Sequence, residues 1–182
     1  MRFLQSESQK VSRENPLRQI RIEKVTVNIA TGKSGEPLEK AKKVLNQLTN
    51  RTPATKRAKK TVKEFGIRKG EPIAAVVTLR RENASSFLSR ALDAISNKVK
   101  ESSFDDYGNF SFGIKEHIEI PGTKYVPELG IFGATVHVTL ERPGYRIKRR
   151  SIRSAKISRS HFVSRDEAVQ FMQDNFRTQV AR

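Results

Sequence analysis

The sequence predicts an α+β domain: a mostly antiparallel sheet with helices on one face, its other face open, and a basic C-terminal extension. Three observations predict it. Four segments alternate apolar and polar residues with period two. Between and after them, apolar residues recur at helical spacing. The positive charge gathers in two blocks that follow neither period.

Residues 21–31, RIEKVTVNIAT, give the first strand. Val25, Val27 and Ile29 share one face, and Lys24, Thr26 and Asn28 share the other. The step from Ile22 to Val25 breaks the alternation, so the strand begins near Lys24 or carries a bulge. Gly32, Gly35 and Pro37 mark a turn. A helix over 36–49 follows, with Leu38, Ala41, Leu45 and Leu48 on one stripe and Ser34 or Gly35 as its cap. Residues 72–81 form the next strand, with Ile73, Ala75, Val77 and Leu79 on the core face. Ala74, Val76, Thr78 and Arg80 take the opposite face. Asn83 is expected to open a helix that runs to about Lys100, on the spacing of Phe87, Leu88, Ala91, Leu92, Ile95 and Val99. Residues 110–120 and 133–141 alternate again and close the sheet. On that alternation His117 and His137 are placed on the open face. A last helix spans 164–177, where Ser164 and Glu167 make a capping box. The organisation expected is an N-terminal arm (1–14), an α+β domain (15–141) and a basic extension with a helix (142–182).

Charge narrows the function. The 182 residues include 36 Lys and Arg against 19 Asp and Glu, a net of +17. A compact body with that charge repels itself unless a polyanion is bound. With no Cys there are no disulfides, no thiolate chemistry and no Cys-ligated zinc. No apolar run approaches the ~18 residues of a membrane span. A soluble cytoplasmic protein that binds nucleic acid, with no membrane partner, is expected.

Enzyme signatures fail on inspection. Gly32-Lys33-Ser34 resembles the end of a P-loop, but Val27 stands where the phosphate cradle needs glycine. The three histidines, His117, His137 and His161, have no metal-ligand spacing. Asp105 and Asp106 sit side by side in a loop, where a turn explains them better than acid–base work. No catalytic residue, cofactor or metal is expected. A DNA-binding regulator would need a helix carrying base-reading Arg, Asn and Gln, which these helices lack.

The basic blocks are the candidate site. Residues 51–70 hold eight Lys or Arg and one acid. Lys56, Arg57, Lys59, Lys60 and Lys63 have no acids at helical spacing to pair them. Thr55 and Thr61 lie among them as short hydrogen-bonding groups. The segment Phe65-Gly66-Ile67-Arg68-Lys69-Gly70 is either a tight connection into the next strand or a finger toward a second RNA. Residues 142–165 hold nine Lys or Arg and no acid, and read as an arm or long loop that orders on RNA. Few exposed aromatics interleave with the cations, so structured RNA read by shape and phosphate is favoured over single strands.

The runs KVTVNIATGKSG, RTPATKRAKKTVKEFGIRKGEPIAAVVTLRR and SFDDYGNFSFGIKEHIEIPG resemble the large-subunit ribosomal "protein five" family, called "protein eleven" in eukaryotes. The match spans roughly 15–142. The added RPGYRIKRRSIRSAKISRSHF and final helix resemble the archaeal and eukaryotic branch, and the short N-terminal arm fits an archaeal source. The resemblance implies a curved sheet whose concave face and adjoining loops bind 5S rRNA in the central protuberance. Arg51 stands where bacterial relatives often have Gln. The candidate rRNA-binding set, from both readings, is Lys24, Thr26, Asn28, Arg51, Thr52, Thr55, Lys56, Arg57, Lys59, Lys60, Thr78 and Arg80. The loop of Lys63, Phe65, Gly66, Ile67, Arg68 and Lys69 is similar to the family's finger toward the P-site tRNA. Residues 121–130 resemble its bridge to a small-subunit protein. Arg146, Lys148, Arg149, Arg150, Arg153, Lys156 and Arg159 are expected to reach either large-subunit rRNA or 5S rRNA. Other central-protuberance proteins are implied as neighbours.

Overall fold

The computed structural model describes residues 15–181, so the arm expected at 1–14 lies outside the described residues. The main elements are β1 (Arg21–Ala30), α1 (Glu36–Thr49), β2 (Ala54–Arg57), β3 (Pro72–Leu79), α2 (Glu82–Ala94) and β4 (Lys98–Lys100). They continue as β5 (Asn109–Ile114), β6 (Ala134–Glu141), α3 (Arg165–Phe176) and β7 (Gln179–Ala181). Five strands form one antiparallel sheet in the order β2-β3-β1-β6-β5. β4 and β7 pair separately, in parallel.

Alternation builds the core. Val25, Val27 and Ile29 of β1, Ala75, Val77 and Leu79 of β3, and Val136, Val138 and Leu140 of β6 are all buried on one face. Leu38, Ala41, Leu45 and Leu48 of α1 and Phe87, Leu88, Ala91 and Leu92 of α2 belong to the same core. Truncating a side chain as buried as Phe87 would cost roughly 3–5 kcal/mol through lost burial and a cavity. α1 begins at Gly35, whose φ of +92° suits glycine, and its acids Glu36 and Glu39 lie at the positive end of the helix.

Several expectations need correction. α2 starts at Glu82 after Arg81, not at Asn83, and ends at Ala94 instead of running to Lys100. Ser96 and Asn97 adopt positive φ and turn the chain. Val99 is buried as a β4 residue, so its helical spacing from Ile95 is a coincidence of burial. β5 stops at Ile114, and a short 3-10 turn follows at His117–Glu119. His117 is therefore buried, not on the open face. β2 lies inside the basic segment, where the sequence pattern predicts no strand. It is an edge strand with all four residues exposed, so it carries no apolar alternation.

The last helix matches its reading. Ser164 accepts from the Glu167 N–H, and Glu167 accepts from the Ser164 N–H. Residues 142–163 hold only two 3-10 turns, Tyr145–Lys148 and Arg159–His161, and their base packs onto the body. Tyr145 is buried with its ring edge-on to Phe162 at 5.9 Å. The Arg142 guanidinium, also buried, donates to Glu167 at 2.6 Å.

Candidate nucleic-acid interface

Helices α1 and α2 cover one face of the sheet, and the register dictates what the other presents. In an antiparallel pair, residues directly opposite point to the same side. Thr26 of β1 faces Thr78 of β3 and His137 of β6, and His137 faces Ser111 of β5. The row is Thr78, Thr26, His137, Ser111. Beside it, Asn28 aligns with Val76 and Thr135, and Lys24 aligns with Thr139, which faces Asn109. The result is a lattice made mostly of hydrogen-bonding side chains, with Val76 and Lys24 among them. Thr78 and His137 are exposed, and Thr26, Asn28, Thr135, Thr139, Ser111 and Asn109 are half-buried.

The β2–β3 hairpin continues the face with charge. Ala54 faces Val76 and Lys56 faces Ala74, so Lys56 joins the open side. Thr55 faces Ala75, a core residue, and so lies toward the helix side, away from the other candidates. Beyond the strands the hairpin runs on as a finger. The Ala58 N–H donates to Glu71 and the Gly70 N–H to Ala58, and Val62 and Ile67 exchange backbone bonds of 2.9 and 3.1 Å. Phe65 stands at the tip, 73% exposed, next to Gly66 with φ of +66°. Glu71 braces the base, accepting from the Arg68 N–H at 3.0 Å and the Ser34 hydroxyl at 2.7 Å. Those bonds hold its carboxyl below the usual carboxylate range. Lys56, Arg57, Lys59, Lys60, Lys63, Arg68 and Lys69 are exposed, and none forms an ion pair among the described residues.

Where the hairpin meets α2 there is a cleft lined by Arg51, Thr52, Lys56, Thr78, Arg80 and Arg81. Arg81, with φ of +56°, is a strained backbone position for a residue with a side chain. The cleft unites the face residues with the start of the basic block.

The rest of the predicted set lies elsewhere. Arg146, Lys148, Arg150, Arg153, Lys156 and Arg159 are exposed on the extension. Arg149 is also exposed but is engaged by the body, donating to Glu141 at 2.8 Å and pairing with Glu23 at 2.9 Å. Residues 121–130 leave the body between β5 and β6, with Tyr125 exposed. His117 closes their base: its backbone N–H donates to the Phe132 carbonyl at 2.9 Å, and its ring Nδ1 accepts from the Phe132 backbone N–H at 3.3 Å. Burial pushes the His117 pKa down.

Sequence reasoning missed Asn109 and Ser111 as face residues, and Arg81 as a cleft residue. The alternation of NFSFGI carried the signal for the first two. Nothing local marks Arg81, which enters the cleft only through the turn into α2.

Among the described residues no cluster of His, Asp and Glu is arranged to hold a metal ion, and no helix is long and apolar enough to cross a membrane.

Residues 15–68 match the family model described as ribosomal protein L5, and residues 72–171 match the model of the same ribosomal family's C-terminus. The chain is 52% identical to the large ribosomal subunit protein uL5 of Sulfurisphaera tokodaii, over 89% of this chain and 92% of that protein. The uL5 of Pyrobaculum aerophilum is also 52% identical, over 91% and 93%. That of Nitrosopumilus maritimus is 44% identical, over 92% and 97%.

Proposed function

This chain belongs to the ribosomal protein L5 family, and from that premise we propose that its open sheet face and basic hairpin bind 5S rRNA and help attach it to the central protuberance. Membership makes it a structural, non-enzymatic constituent of the large ribosomal subunit, with rRNA among its partners, in the cytoplasmic ribosome.

One observation carries the finer reading: a field of Thr, Asn, Ser and His side chains continued by hairpin cations that have no carboxylate partner among the described residues. Short neutral groups reach riboses and backbone oxygens without demanding a base sequence, and Lys and Arg neutralise phosphates. On this reading Lys24, Thr26, Asn28 and Thr78 lie under the RNA. Arg51, Thr52, Lys56 and Arg80 clamp it at the cleft, and Arg57, Lys59 and Lys60 hold its flank. The finger of Lys63, Phe65, Gly66, Ile67, Arg68 and Lys69 reaches the P-site tRNA, with exposed Phe65 as its contact. The loop 121–130 meets a small-subunit protein, and the extension's exposed cations meet rRNA.

The test is competition at one salt concentration. Purified protein is offered labelled 5S rRNA with unlabelled 5S rRNA, a large-subunit rRNA fragment or duplex DNA as competitor. The reading requires 5S rRNA to compete best, with nuclease protection confined to one folded region. Equal competition by duplex DNA would sink it.

A further inference from the structure

Two nearly buried glutamates stand at the margin of a face that we read as RNA-binding. The side chains of Glu23 and Glu141 are only 7% and 6% exposed. A carboxylate there opposes RNA, because it repels phosphate through a poorly screened path. Three arginines surround the pair. Arg21 donates to Glu141 at 2.8 Å, Arg80 to Glu23 at 3.3 Å, and Arg149 reaches both.

Geometry explains how they meet. The register of β1 on β6 shifts between Ile22 and Lys24, so Glu23 is the extra residue of a bulge. A bulge re-aims a side chain, and here it brings Glu23 beside Glu141 at the end of β6. Arg149 comes from the extension, just after the 3-10 turn Tyr145–Lys148, and its Nη2 contacts Glu23 Oε1 and Glu141 Oε2 together. Arg80, a candidate face residue, shares the same Glu23 oxygen. The extension and the open face are thus joined through one carboxylate.

We infer that Glu23 and Glu141 are positioning residues, a clasp that grips Arg149 and fixes the basic extension as a side wall of the open face before RNA arrives. Arg149 then serves as the anchor of the extension, and Arg146, Lys148, Arg150 and Arg153 do the contacting. Pre-placing those cations removes an ordering cost that a free arm would meet on binding. A planar, weakly hydrated guanidinium suits a place between two nearly buried carboxylates better than a strongly hydrated ammonium does. This inference rests on the rRNA-binding reading above for its consequence, but not for the clasp itself.

The sign of the effect tests it. Glu23→Gln with Glu141→Gln raises the net charge by two, so charge alone predicts tighter binding of rRNA. A lost clasp predicts weaker binding. The intact chain and this double variant are compared for tryptic cleavage within residues 146–156 without RNA, and then for 5S and large-subunit rRNA affinity. Arg149→Lys, which keeps the charge and loses the planar guanidinium, is measured alongside. Both variants should be cut about tenfold faster, because local opening sets cleavage. Both should bind rRNA several-fold more weakly, with the unaltered chain as reference. Unchanged cleavage, or tighter binding by the double variant, would overturn the inference. Should the double variant lose its fold, Arg149→Lys decides by the same two readouts. If the unaltered protein binds neither RNA, the function proposed above fails, while the cleavage rates still decide the clasp.

Discussion

The hairpin between β2 and β3 and the extension after β6 both crowd cations, yet they dispose of them differently. In the hairpin, Lys56, Arg57, Lys59, Lys60 and Lys63 project from exposed backbone with no ion pair among the described residues. In the extension, Arg142 is buried against Glu167, Arg149 is held by Glu23 and Glu141, and Arg165 lies 3.9 Å from Glu101. One region keeps its charge for a partner. The other spends part of its charge on its own attachment. A count of basic residues treats them alike, so the lesson is that the carboxylates within reach decide what a basic segment does.

That contrast is broken most directly by charge reversal. Lys59→Glu with Lys60→Glu should weaken 5S rRNA binding well over tenfold in a filter assay, since several phosphate contacts are lost or reversed. The melting temperature should barely move, because both side chains are exposed and unpaired. Arg142→Ala should do the opposite. It removes the buried partner of a half-exposed Glu167, so a loss of roughly 2 kcal/mol in denaturant unfolding is expected, discounted for that exposure.

The neutral face sharpens the comparison with a smaller effect. Thr26→Val with Asn28→Ala removes hydrogen bonds and no charge. Affinity for 5S rRNA should fall by a few-fold, about 1 kcal/mol in total, while the salt dependence keeps its slope. A changed slope would mean that these residues act through phosphate after all.

The smallest effect belongs to the loop 121–130. His117 is held neutral by burial, with a backbone N–H aimed at Nδ1. Its pKa in the folded protein is below that of the unfolded chain, so the unfolded state binds more protons as pH falls. The contribution is complete above about pH 6.5 and is lost as pH drops below it. Hydrogen exchange at Phe132 should quicken over that range, and His117→Phe should abolish the pH dependence.

Much of this was legible in the sequence. The alternation of β6 and the apolar stripe of α1 placed their core residues correctly, and Ser164 with Glu167 announced the last helix. What was not legible depended on distant partners. β2 owes its existence to pairing with β3 and buries nothing of its own, so ATKR carries no strand signal. His117 keeps the rhythm of β5 after the backbone has left the strand. The grip on Arg149 joins residues more than a hundred positions apart, and the bulge at Glu23 showed only as a broken alternation. The rows of the open face follow from the register of four strands, which no single segment reveals.

The central claim is that this protein holds folded RNA by neutralising phosphates around a polar sheet face. A titration of 5S rRNA affinity against salt tests it most directly. The account predicts that log affinity falls linearly with log salt, with a slope magnitude of several, about 0.7–0.9 for each phosphate contacted. A flat response would contradict it.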